Sequence, residues 1–441
     1  MTIPEPAMKA LHLLEDAGFE AFVVGGCVRD SLLGKTPDDW DITTDALPEE
    51  TKEVFKDFKV IETGIKHGTV AVIVDGMLLE ITTYRVDGEY LDNRHPKDVA
   101  FTRNLREDLA RRDFTINALA CSGDGKLIDE FSGMQDLNDR VIRCVGEPDE
   151  RFAEDALRIM RALRFSSTLG FDIEEKTSVS VHKNKDLLKN IAAERITNEL
   201  LKLLCGEKVT ETLINYRDVF AVIIPELEPC FDFDQKNHHH IYDVYTHIAY
   251  SVGGARALPD VRLALLLHDI GKPDCFFVDE EGVGHAYGHA EKSAELAQKA
   301  LSRLRLPSDM QETVLTLVRF HDYPVEPSKK IIRRRLNKFG PEVFEKLMYV
   351  KQGDNFAHNR DIKDFEPLIN EILQMAKEQE DDCFTVKRLD IDGNDLKALG
   401  LEGPEIGKTL EKLLEEVMDD KLENRHEVLI ERAKTLGTVK D

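Results

Sequence analysis

Hydrophobic and polar positions follow two different rhythms along this chain. Over roughly the first 125 residues, short apolar runs alternate with turn signals. Pro6 to Gly18 predicts a short amphipathic helix, with Pro6 suited to its start and Gly18 to its end. Ala21-Phe22-Val23-Val24 is an apolar run that stops at Gly25-Gly26, a strand meeting a tight turn. Asp41–Thr44, Thr69–Val74 and Leu78–Tyr84 are rich in β-branched residues and predict further strands. From about Glu150 the spacing lengthens to three and four residues. Ala153–Leu163 and Ile196–Leu204 predict helices, and from His240 onward the reading is nearly all helical. Residues 206–236 carry no clear period. Gly400-Leu401-Glu402-Gly403-Pro404 breaks the pattern before a final predicted helix over Glu405–Val417.

The 441 residues suggest two to four domains at roughly 100–200 residues each. No apolar run approaches the roughly 18 residues of a membrane span, so no membrane association is expected. Met1-Thr2-Ile3-Pro4-Glu5 lacks the basic flank and apolar core of a signal peptide. The seven cysteines (Cys27, Cys121, Cys144, Cys205, Cys230, Cys275 and Cys383) are scattered, odd in number and form no C-x-x-C. That pattern predicts reduced thiols in the cytoplasm and no zinc ribbon. The net charge of −25 weighs against a nucleic-acid partner, because phosphate binding rests on Lys and Arg. A local basic groove can still coexist with an acidic surface.

The chemistry-bearing residues begin at Gly25-Gly26-Cys27-Val28-Arg29-Asp30-Ser31-Leu32-Leu33-Gly34, followed by Asp39-Trp40-Asp41. Two glycines let backbone amides approach a phosphate. Arg29 can pair with phosphate oxygens. Asp39 and Asp41 stand two apart in an extended segment, so their carboxylates share a side. Such a pair repels itself unless a cation intervenes, and hard oxygen ligands suit Mg²⁺. A lone D-x-D is commonly a solvated loop and a lone Gly-Gly a turn; the joint spacing is the signal.

That string resembles the head of class II tRNA nucleotidyltransferases, which include CCA-adding enzymes and bacterial poly(A) polymerases. Arg111-Arg112-Asp113-Phe114-Thr115-Ile116-Asn117-Ala118 resembles the family's next motif. Asp129-Glu130-Phe131, Asp136-Leu137 and Arg143 resemble its hinge segment. Glu154-Asp155-Ala156-Leu157-Arg158-Ile159-Met160-Arg161 and Glu194-Arg195-Ile196 to Glu199-Leu200 resemble its two helix motifs. The likeness is close over about residues 20–205 and looser beyond. It implies two-metal nucleotidyl transfer to the tRNA 3′ hydroxyl, with Asp39 and Asp41 holding Mg²⁺ and Glu80 as a third carboxylate. A Glu in a strand is more often a solvent-facing residue, the competing reading of Glu80. Gly25, Gly26, Arg29, Arg112, Asp113, Asn117, Asp155, Arg158, Arg161 and Arg164 would contact the nucleotide. Asp113 and Asn117 suit a ribose 2′-hydroxyl, and can also cap a helix over Thr115–Ala120.

Asp155 and Arg158, at i and i+3, are predicted to share one helix face. Asp accepts and Arg donates, which matches the amino group and ring nitrogen of cytosine or adenine. Guanine and uracil would face Asp155 with a second acceptor, costing roughly 1–3 kcal/mol. The segment from Tyr84-Arg85 to Phe101, with Asp92, Arg94, His95 and Pro96, resembles the family's loop for switching from C to A.

His247, His268-Asp269 and Asp354 resemble the H…HD…D pattern of HD phosphohydrolases, within the stretch Asn237-x-x-His240-x-x-Asp243-Val244-x-x-His247. Imidazoles with carboxylates suit an unspecified divalent transition metal. His289 and His321 either extend that site or are surface histidines. Lys329-Lys330-Ile331-Ile332-Arg333-Arg334-Arg335 is the dense basic run, a candidate track for tRNA backbone. The tail, Leu389 to Lys434, resembles the family's tRNA-contacting helical region.

The expected architecture is α+β: a polymerase-β-type nucleotidyltransferase head with a small mixed sheet, then all-helical neck, body, HD and tail domains. The expected boundaries are 1–145 for the head, 146–236 for neck and body, 237–360 for the HD domain and 361–441 for the tail. The expected activity is template-independent addition of CCA to tRNA from CTP and ATP, with HD-domain phosphohydrolysis beside it; the alternatives are A-addition alone or poly(A) synthesis and, from another class, HD phosphohydrolysis as the main activity with the head as a nucleotide-binding module.

Overall fold

The computed structural model describes all residues except 63, 88–98, 359–363, 380, 381, 383 and 438–441. The chain divides into two compact units. The first is Met1–Pro225 with Arg303–Arg305, and the second is Glu226–Ser302 with Leu306–Asp441.

The first unit is built on strands β1 (Ala21–Val24), β2 (Trp40–Thr44), β3 (Lys59–Ile61), β4 (Thr69–Val74), β5 (Met77–Thr83), β6 (Arg85–Asp87), β7 (Val99–Phe101), β8 (Leu119–Cys121) and β9 (Leu127–Asp129). Seven of them form one sheet in the order β3-β4-β5-β2-β1-β8-β9, and β6 pairs with β7 apart from it. β2 and β5 run parallel, whereas β1–β2, β4–β5 and β1–β8 are antiparallel. The β4–β5 hairpin turns on Asp75 and Gly76, both at positive φ (47° and 86°). Asp-Gly is the pair that a two-residue turn of that handedness favours. Alternate residues of β4 are buried, as one covered face requires.

The helix Glu5–Asp16 lays Ala7, Ala10, Leu11 and Leu14 onto the sheet beside Val23, Ile42, Val72, Leu79 and Ile81. It begins one residue before the predicted Pro6, with Pro4 as its cap, and Gly18 ends it at φ 91°. The predicted helix over Thr115–Ala120 does not form. Thr115–Asn117 is one 3₁₀ turn, and β8 follows because Leu119–Cys121 is drawn into the sheet between β1 and β9.

The segment read as one helix over Ala153–Leu163 is two. Pro148–Glu154 ends at Asp155 (φ −132°, ψ 102°), and Leu157–Leu169 starts afresh. Asp155 and Arg158 therefore do not share a helix face. Residues 206–236 hold helices Val209–Asn215 and Arg217–Ile223 and a 3₁₀ segment Pro225–Cys230.

In the second unit, Val244–Gly254, Pro259–Leu267, Ser308–Phe320 and Pro341–Phe356 pack around one another. Gly353 permits this: a Cβ there would lie 2.6 Å from both the Ser251 carbonyl and Leu265 Cδ1. The helix predicted to end the chain, observed as Pro404–Met418, is followed by another, His426–Gly437.

Gly133 opens the helix Gly133–Asp139, and a Cβ there would collide with the Thr115 carbonyl oxygen and carbon. Gly133→Ala is expected to destabilise the first unit by about 1–3 kcal/mol through backbone displacement. Urea titration with a probe in this unit checks this; an unchanged midpoint would show that the helix start moves freely.

Candidate active sites

In the first unit, Gly25 stands between β1 and the helix Gly26–Leu32, at φ 83°. A Cβ there would sit 2.9 Å from Arg112 Nη1, so both conformation and close approach call for glycine. Asp41 in β2 lies directly opposite Glu80 in β5, and Asp39 precedes β2. Asp39 and Glu80 are exposed and Asp41 is half-buried. Burial, then the neighbouring charges of Asp39 and Glu80, push the Asp41 carboxyl up to about 6, against the pull of Arg112. This is a carboxylate cluster short of positive charge, which fits the donor set of a hard divalent cation. Arg112 itself is an ion-pair neighbour of Asp108 at 3.6 Å, and its Nε is buried without a hydrogen-bond partner.

Arg29, expected to be open to phosphate, is built into the fold. Its Nε and Nη2 donate to Asp30 (2.9 and 2.8 Å), and Nη1 donates to Asn117 Oδ1 at 2.6 Å. Asn117 Nδ2 in turn donates to Asp113 Oδ1 at 3.0 Å, and Arg161 donates to Asp113 Oδ2 at 2.7 Å. Burial would raise the Asp113 carboxyl, but the charge of Arg161 and the bond from Asn117 hold it at about 2. Phe165 stacks beneath three guanidiniums, those of Arg29, Arg161 and Arg164, at 4.9, 5.3 and 3.7 Å from its ring centre. Arg164 also pairs with Glu199 at 2.7 Å.

Asp155 and Arg158 look to different partners. Asp155 accepts from the Leu157 amide at 3.0 Å and from Arg195 at 3.1 Å. Arg158 donates to Glu154 at 2.6 Å and to the Arg111 carbonyl at 2.8 Å. Asp108, which is fully buried, binds Arg111 at 2.7 Å and the Thr43 hydroxyl at 3.0 Å. Sequence reading passed over Asp108, and placed Glu154 and Arg195 in motifs without giving either a partner. The only signal for Asp108 was an acid three and four residues before Arg111 and Arg112. In the hinge segment, Asp136 accepts from the Thr115 hydroxyl and Arg143. Asp92, Arg94, His95 and Pro96 lie outside the described residues; the flanking β6 and β7 pair antiparallel.

The second unit gathers its six predicted residues. Asp354 lies 2.9 Å from His247 Nε2 and 3.5 Å from His268 Nε2; Asp269 lies 3.3 Å from His247, His268 and His289. His289 Nε2 is 3.1 Å from His321 Nε2. Neither is a surface histidine. Among the described residues, His247, His268 and Asp354, and His268, Asp269 and His321, have convergent ligand atoms. The ring Nδ1 atoms of His268, His289 and His321 each face a backbone carbonyl, of Leu265, Ala286 and Val318, at 2.6, 2.9 and 2.7 Å. Donation from Nδ1 leaves each Nε2 as the lone-pair nitrogen inside the cluster, the tautomer of a metal ligand. His268 Nε2 is buried with no hydrogen-bond partner, and Asp269 Oδ2 is buried with the Lys272 ammonium as its nearest cation, at 2.7 Å. The donor set and its orphaned nitrogen fit a divalent transition metal.

His240, His358 and Lys272 are among the further residues that line the cavity of about 290 Å³ at this cluster. Lys272 Nζ is 2.7 Å from Asp269 and donates to Gln235 at 2.9 Å. Lys272 stands three residues beyond Asp269 and His358 four beyond Asp354, but neither pair shares a helix: Asp269 lies in the turn between Pro259–Leu267 and Lys272–Cys275, and His358 lies past the end of Pro341–Phe356.

The basic run forms the helix Lys329–Phe339, but acids of the same unit neutralise much of it. Lys330 and Arg334 pair with Asp419 at 3.0 and 2.8 Å, and Arg333 pairs with Asp382 and Asp420 at 2.9 and 2.6 Å. Arg335 lies 4.0 Å over Tyr323. The expected open track for a phosphate backbone is not what this helix presents.

The Asp113 carboxyl sits below its ordinary value of about 3.9, so its contribution to stability is present above pH 4 and lost as pH falls towards 2. Asp113→Asn is expected to remove about 2 kcal/mol of that acid-dependent stability. Denaturation of wild type and variant between pH 5 and 2 reads the difference; parallel pH profiles would refute the pairing.

Residues 21–143 match the model of the Poly A polymerase head domain, 170–231 that of the Probable RNA and SrmB- binding site of polymerase A, and 287–433 that of tRNA nucleotidyltransferase domain 2. The CCA-adding enzyme of Lactobacillus helveticus is 54% identical over 200 residues, 45% of this chain and 50% of the relative. That of Pediococcus pentosaceus is 46% identical over 256 residues, 56% of this chain and 64% of the relative. The chain thus spans about half to two thirds of the length of these curated relatives. The crystal structure of Bacillus stearothermophilus CCA-adding enzyme in complex with CTP superposes with a TM-score of 0.74 at 28% identity, covering 99% of this chain and 98% of that one. With three family models in order along it and a head built around Asp41, Glu80 and Arg112, the chain is similar to the class II tRNA nucleotidyltransferases, and the CCA-adding relatives and structure support that likeness.

Proposed function

We propose that this protein completes the 3′ end of tRNA, adding C, C and A from CTP and ATP without a nucleic-acid template. The observation that carries this reading is the Asp39–Asp41–Glu80 carboxylate group facing Arg112 and the tight Gly25 turn. The CCA-adding relatives and the CTP complex of the Bacillus stearothermophilus enzyme support the choice of substrates.

Asp39 and Asp41 are the residues to hold Mg²⁺, with Glu80 beside them. Mg²⁺ bound there supplies charge neutralisation at the attacking and leaving oxygens of an in-line transfer. Gly25 and Gly26 bring the backbone close to the triphosphate, and Arg112 adds positive charge beside it. Asp113 and Asn117 address the ribose, held in place by Arg29 and Arg161. Asp155 accepts from the base's amino group once it gives up Arg195, and Arg158 donates to the ring nitrogen once it gives up Glu154. Arg164, pinned by Glu199 and Phe165, orders the helix that carries Arg158. The roles follow the proposed division into a head at 1–145, neck and body at 146–236, an HD domain at 237–360 and a tail at 361–441.

A second activity belongs to the cluster of His247, His268, Asp269 and Asp354 with His289 and His321. Its ligand-type tautomers support a divalent metal there and hydrolysis of a phosphate ester. The six described cysteines are free, and no helix among the described residues is long and apolar enough to cross a membrane; a cytoplasmic location accords with both.

The deciding assay incubates tRNA ending before CCA, before A, or complete with CTP, ATP or both. Addition of C to the shortest tRNA is expected; its failure would leave A-addition alone. Asp39→Ala should lower incorporation by about 10²–10³-fold or more while sparing phosphate-ester hydrolysis. Persistent incorporation would remove Asp39 from the metal site. Asp155→Asn replaces an acceptor with a group that also donates. It is expected to narrow discrimination against UTP by about 5–150-fold, read as the ratio of kcat/KM for CTP and UTP.

A further inference from the structure

The cavity holding the histidine–carboxylate cluster opens beside an aromatic shelf that neither catalytic reading uses. Phe277–Val278 and Gly284–His285 form a small antiparallel hairpin in which Phe277 faces His285. The Phe277, His285 and Tyr287 rings lie within 5.3–5.6 Å of one another, His285 and Tyr287 nearly parallel at 20°. Tyr287 is 74% exposed and Phe277 45% exposed, so the shelf presents ring faces outward. Its geometry is braced: His285 Nε2 binds Asp279 at 2.6 Å, and the hairpin is tied back through Gly284, whose amide donates to the Lys236 carbonyl at 2.8 Å and whose carbonyl accepts from Asn237 Nδ2 at 3.1 Å. A Cβ on Gly284 would collide with the Gln235 carbonyl, so the hairpin sits tightly against the cavity wall.

His285 and Tyr287 line the same cavity as Asp269, His289, His321 and Lys272. Tyr287 is two residues from His289, whose Nδ1 faces the carbonyl of Ala286, the residue just before Tyr287. One end of the cavity thus offers flat exposed rings and the other offers cations and metal-type ligands. At about 290 Å³ the space lies near the lower end, about 300 Å³, of the range for small-molecule sites, room for one compact ligand unit.

We propose that His285 and Tyr287, backed by Phe277, stack the base of a nucleoside phosphate whose phosphate lies at the histidine–carboxylate cluster. The ligand is one base joined to one phosphate group, free or at the end of an RNA. Flat π surfaces hold any base without reading its edge, so the shelf positions the ligand rather than selecting its sequence. This inference rests on the reading of the cluster as a phosphate-ester site.

The test uses the full chain with Mn²⁺ and calorimetric titration. The probes are AMP, ribose 5-phosphate and a short oligoribonucleotide ending in a 3′-phosphate. Wild type is expected to bind AMP about tenfold tighter than ribose 5-phosphate. Tyr287→Ala should erase most of that difference and leave ribose 5-phosphate unchanged, whereas Tyr287→Trp should keep it. Tyr287 is exposed, so neither change burdens the fold. A Tyr287-dependent oligonucleotide affinity above that of AMP assigns the ligand to an RNA end; the reverse order assigns it to a free nucleotide. If AMP and ribose 5-phosphate bind equally, or the AMP preference survives Tyr287→Ala, the shelf proposal is overturned and the cluster reading stands. If neither binds, the cluster reading falls and the shelf with it.

Discussion

The Asp113 carboxylate is the point on which the first unit turns. A buried charge is tolerable only when it is paired and hydrogen-bonded, and Asp113 is supplied by Arg161 on one oxygen and by Asn117 on the other. Asn117 is held by Arg29, which belongs to the turn leaving β1. One chain of polar contacts therefore joins the first turn, the 3₁₀ segment before β8 and the Leu157–Leu169 helix. Removing one partner would strand a buried charge at a cost of about 3–5 kcal/mol. Phe165 adds a ring beneath the three guanidiniums, so the helix is placed by stacking as well as by charge.

That network explains why two arginines expected at the nucleotide act first within the fold. Arg29 and Arg161 spend their directional donors on Asp30, Asn117 and Asp113. What they contribute at the proposed nucleotide site is position and background charge. The carboxylates are in the opposite condition. The parallel register of β2 and β5 sets Asp41 opposite Glu80 with Arg112 as the nearby cation, and the Asp41 carboxyl rises to about 6 in response. The fold neutralises its cations and leaves its anions in want of one, an arrangement suited to a divalent ion arriving with a triphosphate.

The second unit solves a related problem with imidazoles. Three backbone carbonyls take up the Nδ1 side of His268, His289 and His321, which fixes ring orientation before any ligand binds. Two of those carbonyls, of Leu265 and Val318, come from the last turn of the helix leading into the histidine. Helix ends leave such carbonyls free, so the helix terminus itself orients the ring.

Local pattern was enough for much of this molecule. Thr69–Val74 and Leu78–Tyr84 are rich in β-branched residues, so the two strands were legible; Gly25-Gly26 after an apolar run announced the site turn; the order of His247, His268-Asp269 and Asp354 announced the histidine–carboxylate cluster. The motifs in order carried the family. What tertiary structure alone decided was pairing over distance. Arg29 meets Asn117 across 88 residues, and His247 meets Asp354 across 107. Arg334 finds Asp419, which turns a basic run into a neutralised face. Asp155 leaves the helix and faces Arg195 while Arg158 turns to Glu154, against a spacing that placed the two together. Helical periodicity reports which residues share a face only while the helix continues, and a side chain's charge reports nothing about which opposite charge the packed chain will bring to it.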